Sequence, residues 1–161
     1  MNFEEDKRYN EMAPAAHRVR GIIINEVVLI ERLMDRFIAN HFTADDKKQM
    51  ELIELIFATK RISFESKRQI FKFLAEKYYS SKFTDLEKLV ARLKDIEDIR
   101  NIVAHYMLDT TEKGYENLKN NIIGFVKFHN NTEIITYSND KVKEIFKMIR
   151  EHQKILFDAL Q

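Results

Sequence analysis

The stretch DIEDIRNIVAHYMLD, residues 95–109, holds the two residues of this chain best suited to chemistry, Arg100 and His105. Leu86, Leu89, Leu93, Ile96, Val103 and Met107 recur at the three- and four-residue steps of one helix face. Arg100 stands in that seam, where the pattern calls for an apolar residue. His105 lies about 140° around the helix from Arg100 and about 7.5 Å along it. Asn101, Lys94 and Asp98 share the histidine face. A guanidinium offers a rigid fork of donors to carboxylates or phosphates. An imidazole exchanges protons near neutral pH, as a general acid or base must. The histidine face points away from the seam, so it forms a cleft only where a second element or a second subunit covers it.

Two further charges interrupt apolar seams. Glu26 falls among Val19, Ile23, Ile30, Leu33 and Phe37, and Lys67 among Phe64, Phe71, Leu74 and Tyr78. An unpaired buried charge costs several kcal/mol, so these groups are expected to find one another or a ligand. The signs suggest a Glu26–Arg100 pair with Lys67 nearby. For Lys67 the simpler expectation is a stem that lies along the core while its ammonium reaches water.

These residues must be positioned by long helices. Only 3 Gly and 1 Pro occur in 161 residues, and 45% of the chain is hydrophobic. That composition fits a folded chain long enough for a core of its own, and the length suggests a single domain, residues 1–161. Pro14 reads as a helix start, with a helix over 15–41. Thr43 caps a second helix ending near Thr59, and Ser63 a third that stops at Ser80–Ser81. Thr84 with Glu87 forms a capping box for the fourth, which runs to about Leu108. IIGFVKF and TEIITYS, with FHNNTE as the turn, predict a β-hairpin over 122–138. Helical spacing then returns, capped by Asn139 or Asp140. The expected fold is mainly α: an up-and-down bundle of about five helices with the hairpin inserted before the last.

Composition narrows the function classes. There is no cysteine, which removes disulfides, thiolate metal sites and cysteine nucleophiles. His17, His41, His129 and His152 are too scattered to predict a metal site, and no cofactor motif is present. With 27 basic and 26 acidic residues, the net charge of +1 argues against coating long stretches of nucleic acid. The charged N-terminus lacks a signal-peptide core, and the longest apolar run, VVLI, is too short for a bilayer. A soluble, cytoplasmic protein with no membrane partner is expected.

Arg100-Asn101-Ile102-Val103-Ala104-His105 is an R-x4-H motif late in a long helix, and with the helical order and the polar intruder of the first helix it resembles the HEPN superfamily. The resemblance covers about residues 15–160, with no parallel for the hairpin. It implies a metal-independent endoribonuclease, often a homodimer whose two motifs meet across a cleft, in toxin or defence settings with an antitoxin or other partner protein. Arg100 and His105 would be the catalytic pair, Asn101, Glu26 and Lys67 supporting residues, and RNA the substrate. Cleavage would leave a 2′,3′-cyclic phosphate and a 5′-hydroxyl without cofactor or metal. Some toxins of the superfamily carry a modified tyrosine two residues after the histidine; here that position is Met107, and Tyr106 precedes it. The resemblance equally allows a non-catalytic dimerising or adaptor module, or a nucleotide-binding one.

Overall fold

A computed structural model describes residues 3–59, 62–129 and 131–161. Its elements are α1 (Phe3–Phe42), α2 (Asp46–Leu52), α3 (Phe64–Tyr78), α4 (Leu86–His105), β1 (Met107–Leu108), α5 (Glu112–Lys119), β2 (Ile122–His129), β3 (Asn131–Ser138) and α6 (Asn139–Ala159). The fold is mainly α with a β-hairpin before the last helix, as the patterning predicts. The strands pair antiparallel in the order β1-β2-β3, with Phe125 opposite Ile135 and Ile123 opposite Tyr137. The hairpin tip at Asn130 lies outside the described residues.

Several boundaries differ from expectation, each for a local reason. Pro14 lies inside α1 instead of opening it. Its ring removes the N–H that would bond the Asn10 carbonyl, but Asn10 and Pro14 are both exposed, so water can satisfy that carbonyl. Asp45 takes the cap of α2 from Thr43: its Oδ1 accepts from the backbone of Lys47 at 2.9 Å and Lys48 at 3.2 Å. Residues Ile53–Phe57 continue as a π-helical turn. Asp85 accepts from Lys88 N at 3.0 Å at the start of α4, and Ser138 from Lys141 N at 3.2 Å at the start of α6, displacing the predicted caps. Ser63 does cap α3, accepting from Ser66 N. Finally, α4 stops at His105, because Met107 and Leu108 pair with Val126 and Phe125 of β2. Met107 therefore leaves the seam and is 63% exposed.

The described residues divide into two compact units. One contains the chain up to Asn25 and Asp98–Met148; the other contains Glu26–Glu97 and Ile149–Gln161. The second unit is built around Phe37, Phe71 and Phe83, whose rings meet edge to face at 4.9–6.0 Å. Ile30 of the α1 seam and Leu93 and Ile96 of the α4 seam are fully buried in this unit, as are Met34 and, on α6, Leu156.

The same unit holds a buried charge cluster. Lys67 is 1% exposed, so its ammonium does not reach water. It lies 2.9 Å from Asp35 Oδ1, and donates to Asp35 Oδ2 at 3.0 Å and to Glu31 Oε1 at 2.7 Å. Asp35 is fully buried; desolvation pushes its carboxyl above the ordinary range, against the opposing effect of Lys67. Snorkelling fails here because Glu31 and Asp35, one turn apart on α1, supply anions where the stem would have to turn outward.

In the first unit Met12, Ala16, Ile23, Val103, Phe125 and Ile145 are buried. After β1 the chain is tied by Asp109, which is 1% exposed. Asp109 N donates to Gly124 O at 2.9 Å, and its Oδ1 accepts from Thr111 N at 3.1 Å and Thr111 Oγ1 at 2.7 Å. Thr111 Oγ1 in turn accepts from Gly114 N at 3.1 Å and caps α5. Gly114 has to be glycine: a Cβ there would meet Asp109 O at 2.4 Å. Asn121, at φ 58°, turns the chain from α5 into β2, a conformation asparagine tolerates better than most residues.

Candidate functional site

His105 occupies the last turn of α4 and is exposed. It borders a cleft of about 470 Å³ inside the first unit. The opposite wall is α1, which contributes Tyr9, Ala16, His17 and Arg20; Ala104–Leu108 and Thr110 complete the lining. Tyr9, Ala16 and Arg20 are spaced by seven and four residues, so they form one row along α1, with His17 beside it. The His105 end of that α4 face thus borders a cleft formed within its own chain, while Lys94 and Asp98 of the same face are exposed.

Arg20 joins the two walls. Its Nη2 donates to the Tyr106 carbonyl at 2.6 Å, satisfying an acceptor just past the end of α4. Its guanidinium carbon lies 4.9 Å over the ring of Phe125, which is fully buried. These contacts hold a cation beside His105 in a geometry that a flexible ammonium would not keep. Arg20 Nε is buried without a partner among the described residues. None of the residues lining the cleft is acidic. The arrangement combines two imidazoles, a fixed guanidinium and the tyrosines Tyr9 and Tyr106. It suits an anion whose reaction needs protons moved.

The other residues singled out from the sequence lie elsewhere. Arg100 does not line the cleft; its Nη1 donates to Asn101 Oδ1 at 2.8 Å, and both are half-buried. Glu26 accepts at 2.8 Å from Gln153 Nε2, which also donates to the Glu26 carbonyl at 3.0 Å. The Glu26–Arg100 pairing expected from their signs is therefore replaced by a different partner for each. Lys67 pairs with Glu31 and Asp35 in the buried cluster. Among the described residues no group of three His, Asp or Glu is placed to hold a metal ion, and no helix is long and apolar enough to cross a membrane.

Sequence reasoning missed His17 and Arg20. The signal that finds them is the Tyr9–Ala16–Arg20 spacing, hidden when Pro14 is taken as the first turn of the helix. A second concavity, of about 410 Å³, lies in the other unit between His41, Phe42, Ile70, Phe73 and Tyr78; it is apolar and has no such set of proton-transfer groups. Comparison of the chain with family models, curated proteins and solved structures finds no match.

Proposed function

We propose that this chain is a metal-independent endoribonuclease of HEPN type, with His105 as a proton-transfer group. The observation that supports it most is the placement of His105 on a cleft that carries a cation and has no acidic lining residue. A phosphodiester is attracted to such a site, and its 2′-hydroxyl nucleophile and 5′-oxygen leaving group both require proton transfer. In the reaction the 2′-oxygen attacks phosphorus as its proton is taken, and the P–O5′ bond breaks as O5′ gains a proton. The products are a 2′,3′-cyclic phosphate and a 5′-hydroxyl. Arg100 and Asn101 keep the motif's sequence positions and bond to each other on the same helix. A cytoplasmic toxin or defence setting, a homodimer and an antitoxin partner belong to the same proposal, on the resemblance of Arg100–His105 alone.

The test is cleavage of structured and unstructured RNA in EDTA by wild type, His105→Ala and Arg100→Ala. Loss of cleavage in His105→Ala, with folding and oligomeric state unchanged, is the expected result. Equal cleavage by all three proteins would refute the proposal. One observation favours a second function, a dimerising or adaptor module: Phe42, Leu55 and Phe73 are 64%, 73% and 57% exposed in the second unit. Phe42 and Phe73 line the same apolar concavity, and adjoining exposed apolar side chains suit a protein partner. A stable dimer that dissociates in Phe73→Ser, in a protein without RNA cleavage, would select that function.

A further inference from the structure

The R-x4-H motif gives the phosphate-binding role to Arg100, yet the guanidinium that faces His105 across the cleft belongs to α1. We propose that Arg20 and His17 complete the His105 site, Arg20 holding the scissile phosphodiester of RNA and His17 acting as the second proton-transfer imidazole. This rests on the ribonuclease function proposed above and adds to it a self-contained site within one protomer.

The geometry supports each role. Arg20 is anchored by the Tyr106 carbonyl at 2.6 Å and by the Phe125 ring at 4.9 Å, so its fork meets an incoming phosphate without being ordered first. The anchor residue Tyr106 is the immediate neighbour of His105, which ties the cation's position to that of the imidazole. His17 enters from α1 and His105 from α4, on the two walls of one cleft. Phosphodiester transfer needs a group on each side of phosphorus. The neutral imidazole takes the 2′-hydroxyl proton as the 2′-oxygen forms its bond to phosphorus. The protonated one gives its proton to O5′ as the P–O5′ bond breaks, so the pair ends with its protonation states exchanged. The other polar side chains lining the cleft are Tyr9, Tyr106, Thr110 and Arg20, with no carboxylate among them to neutralise the guanidinium.

Two measurements test this. In the first, imidazole Hε1 resonances are followed by NMR during titration with inorganic phosphate and with a 2′-deoxydinucleotide, which carries the phosphodiester but not the nucleophile. His17 and His105 are expected to move together with one dissociation constant, while His41 and His152 stay as references. Arg20→Lys is expected to weaken both ligands about tenfold, because an ammonium lacks the fork. Phosphate moving His105 alone, or neither ring, would overturn the site. So would phosphate binding without dinucleotide binding. The second measurement is the pH profile of RNA cleavage: wild type gives a bell, and His17→Gln loses one limb with kcat down about 10²-fold or more.

The outcomes separate the two proposals. RNA cleavage with both limbs intact in His17→Gln would leave the nuclease standing and refute the role of His17. No cleavage by wild type, with both rings responding to the dinucleotide, would refute the nuclease and the proton-transfer roles together. If Arg20→Lys fails to fold, His17→Gln and His105→Gln still decide the titration, each by removal of one moving resonance.

Discussion

Replacing Lys67 by Met removes, among the described residues, the one cation within 3.0 Å of the fully buried Asp35 carboxylate, leaving Arg32 at 3.9 Å and Glu31 as a second anion beside it. Breaking a buried ion pair from one side costs about 3–5 kcal/mol, because the survivor is left desolvated and uncompensated. For a chain of this length each kcal/mol lowers Tm by about 2–4 °C, so Lys67→Met is expected to melt about 6–20 °C lower. Asp35→Leu is expected to fall by a similar amount, stranding Lys67 with only the partly exposed Glu31. The double variant Lys67→Met/Asp35→Leu is expected within about 2 kcal/mol of wild type, since apolar groups of similar volume replace both charges. Urea unfolding of the four proteins, followed by far-ultraviolet circular dichroism, gives the coupling directly. A double variant as unstable as the sum of the single ones would refute the claim that Lys67 and Asp35 compensate each other.

The same site has a pH signature. Burial raises Asp35 in the folded chain above its usual 3.8, so the folded state holds that proton more tightly than the unfolded one. Its contribution favours folding at low pH and is lost as pH rises through the folded value. In Lys67→Met the opposing cation is gone, so its stability deficit against wild type is expected to narrow from pH 7 to pH 5; a constant or widening deficit would contradict this. Gly114→Ala is expected to destabilise by about 1–3 kcal/mol, because the new Cβ would meet the Asp109 backbone and carboxyl. Gly21→Ala, with nothing within 4 Å in the middle of α1, is expected to stabilise by about 0.5–1 kcal/mol. Equal shifts for the two glycines in thermal melts would refute the close-approach explanation. Thr111→Ala is expected to cost about 1 kcal/mol and Thr111→Ser to restore it, since the hydroxyl caps α5 and bonds Asp109.

The sequence by itself made most of the helical seams, the Ser63 cap and the hairpin at residues 122–138 legible, though Tyr78 and Met107 at the seam ends are exposed. Each is written in residues one or two turns apart, or in alternation along one strand, and such short-range patterns survive in almost any surroundings. It also showed that Glu26, Lys67 and Arg100 interrupt apolar faces. Which group each would meet was beyond it, because a partner is chosen by packing between segments far apart in the chain. Lys67 finds Asp35, 32 residues away, and Arg20 finds the Tyr106 carbonyl 86 residues on. The end of α4 was decided in the same way, by the pairing of Met107 with Val126. Only the tertiary structure sets the first half of α1 across from His105. His105 thereby borders a cleft that also holds a second imidazole and a fixed cation, while Arg100 stays outside its lining.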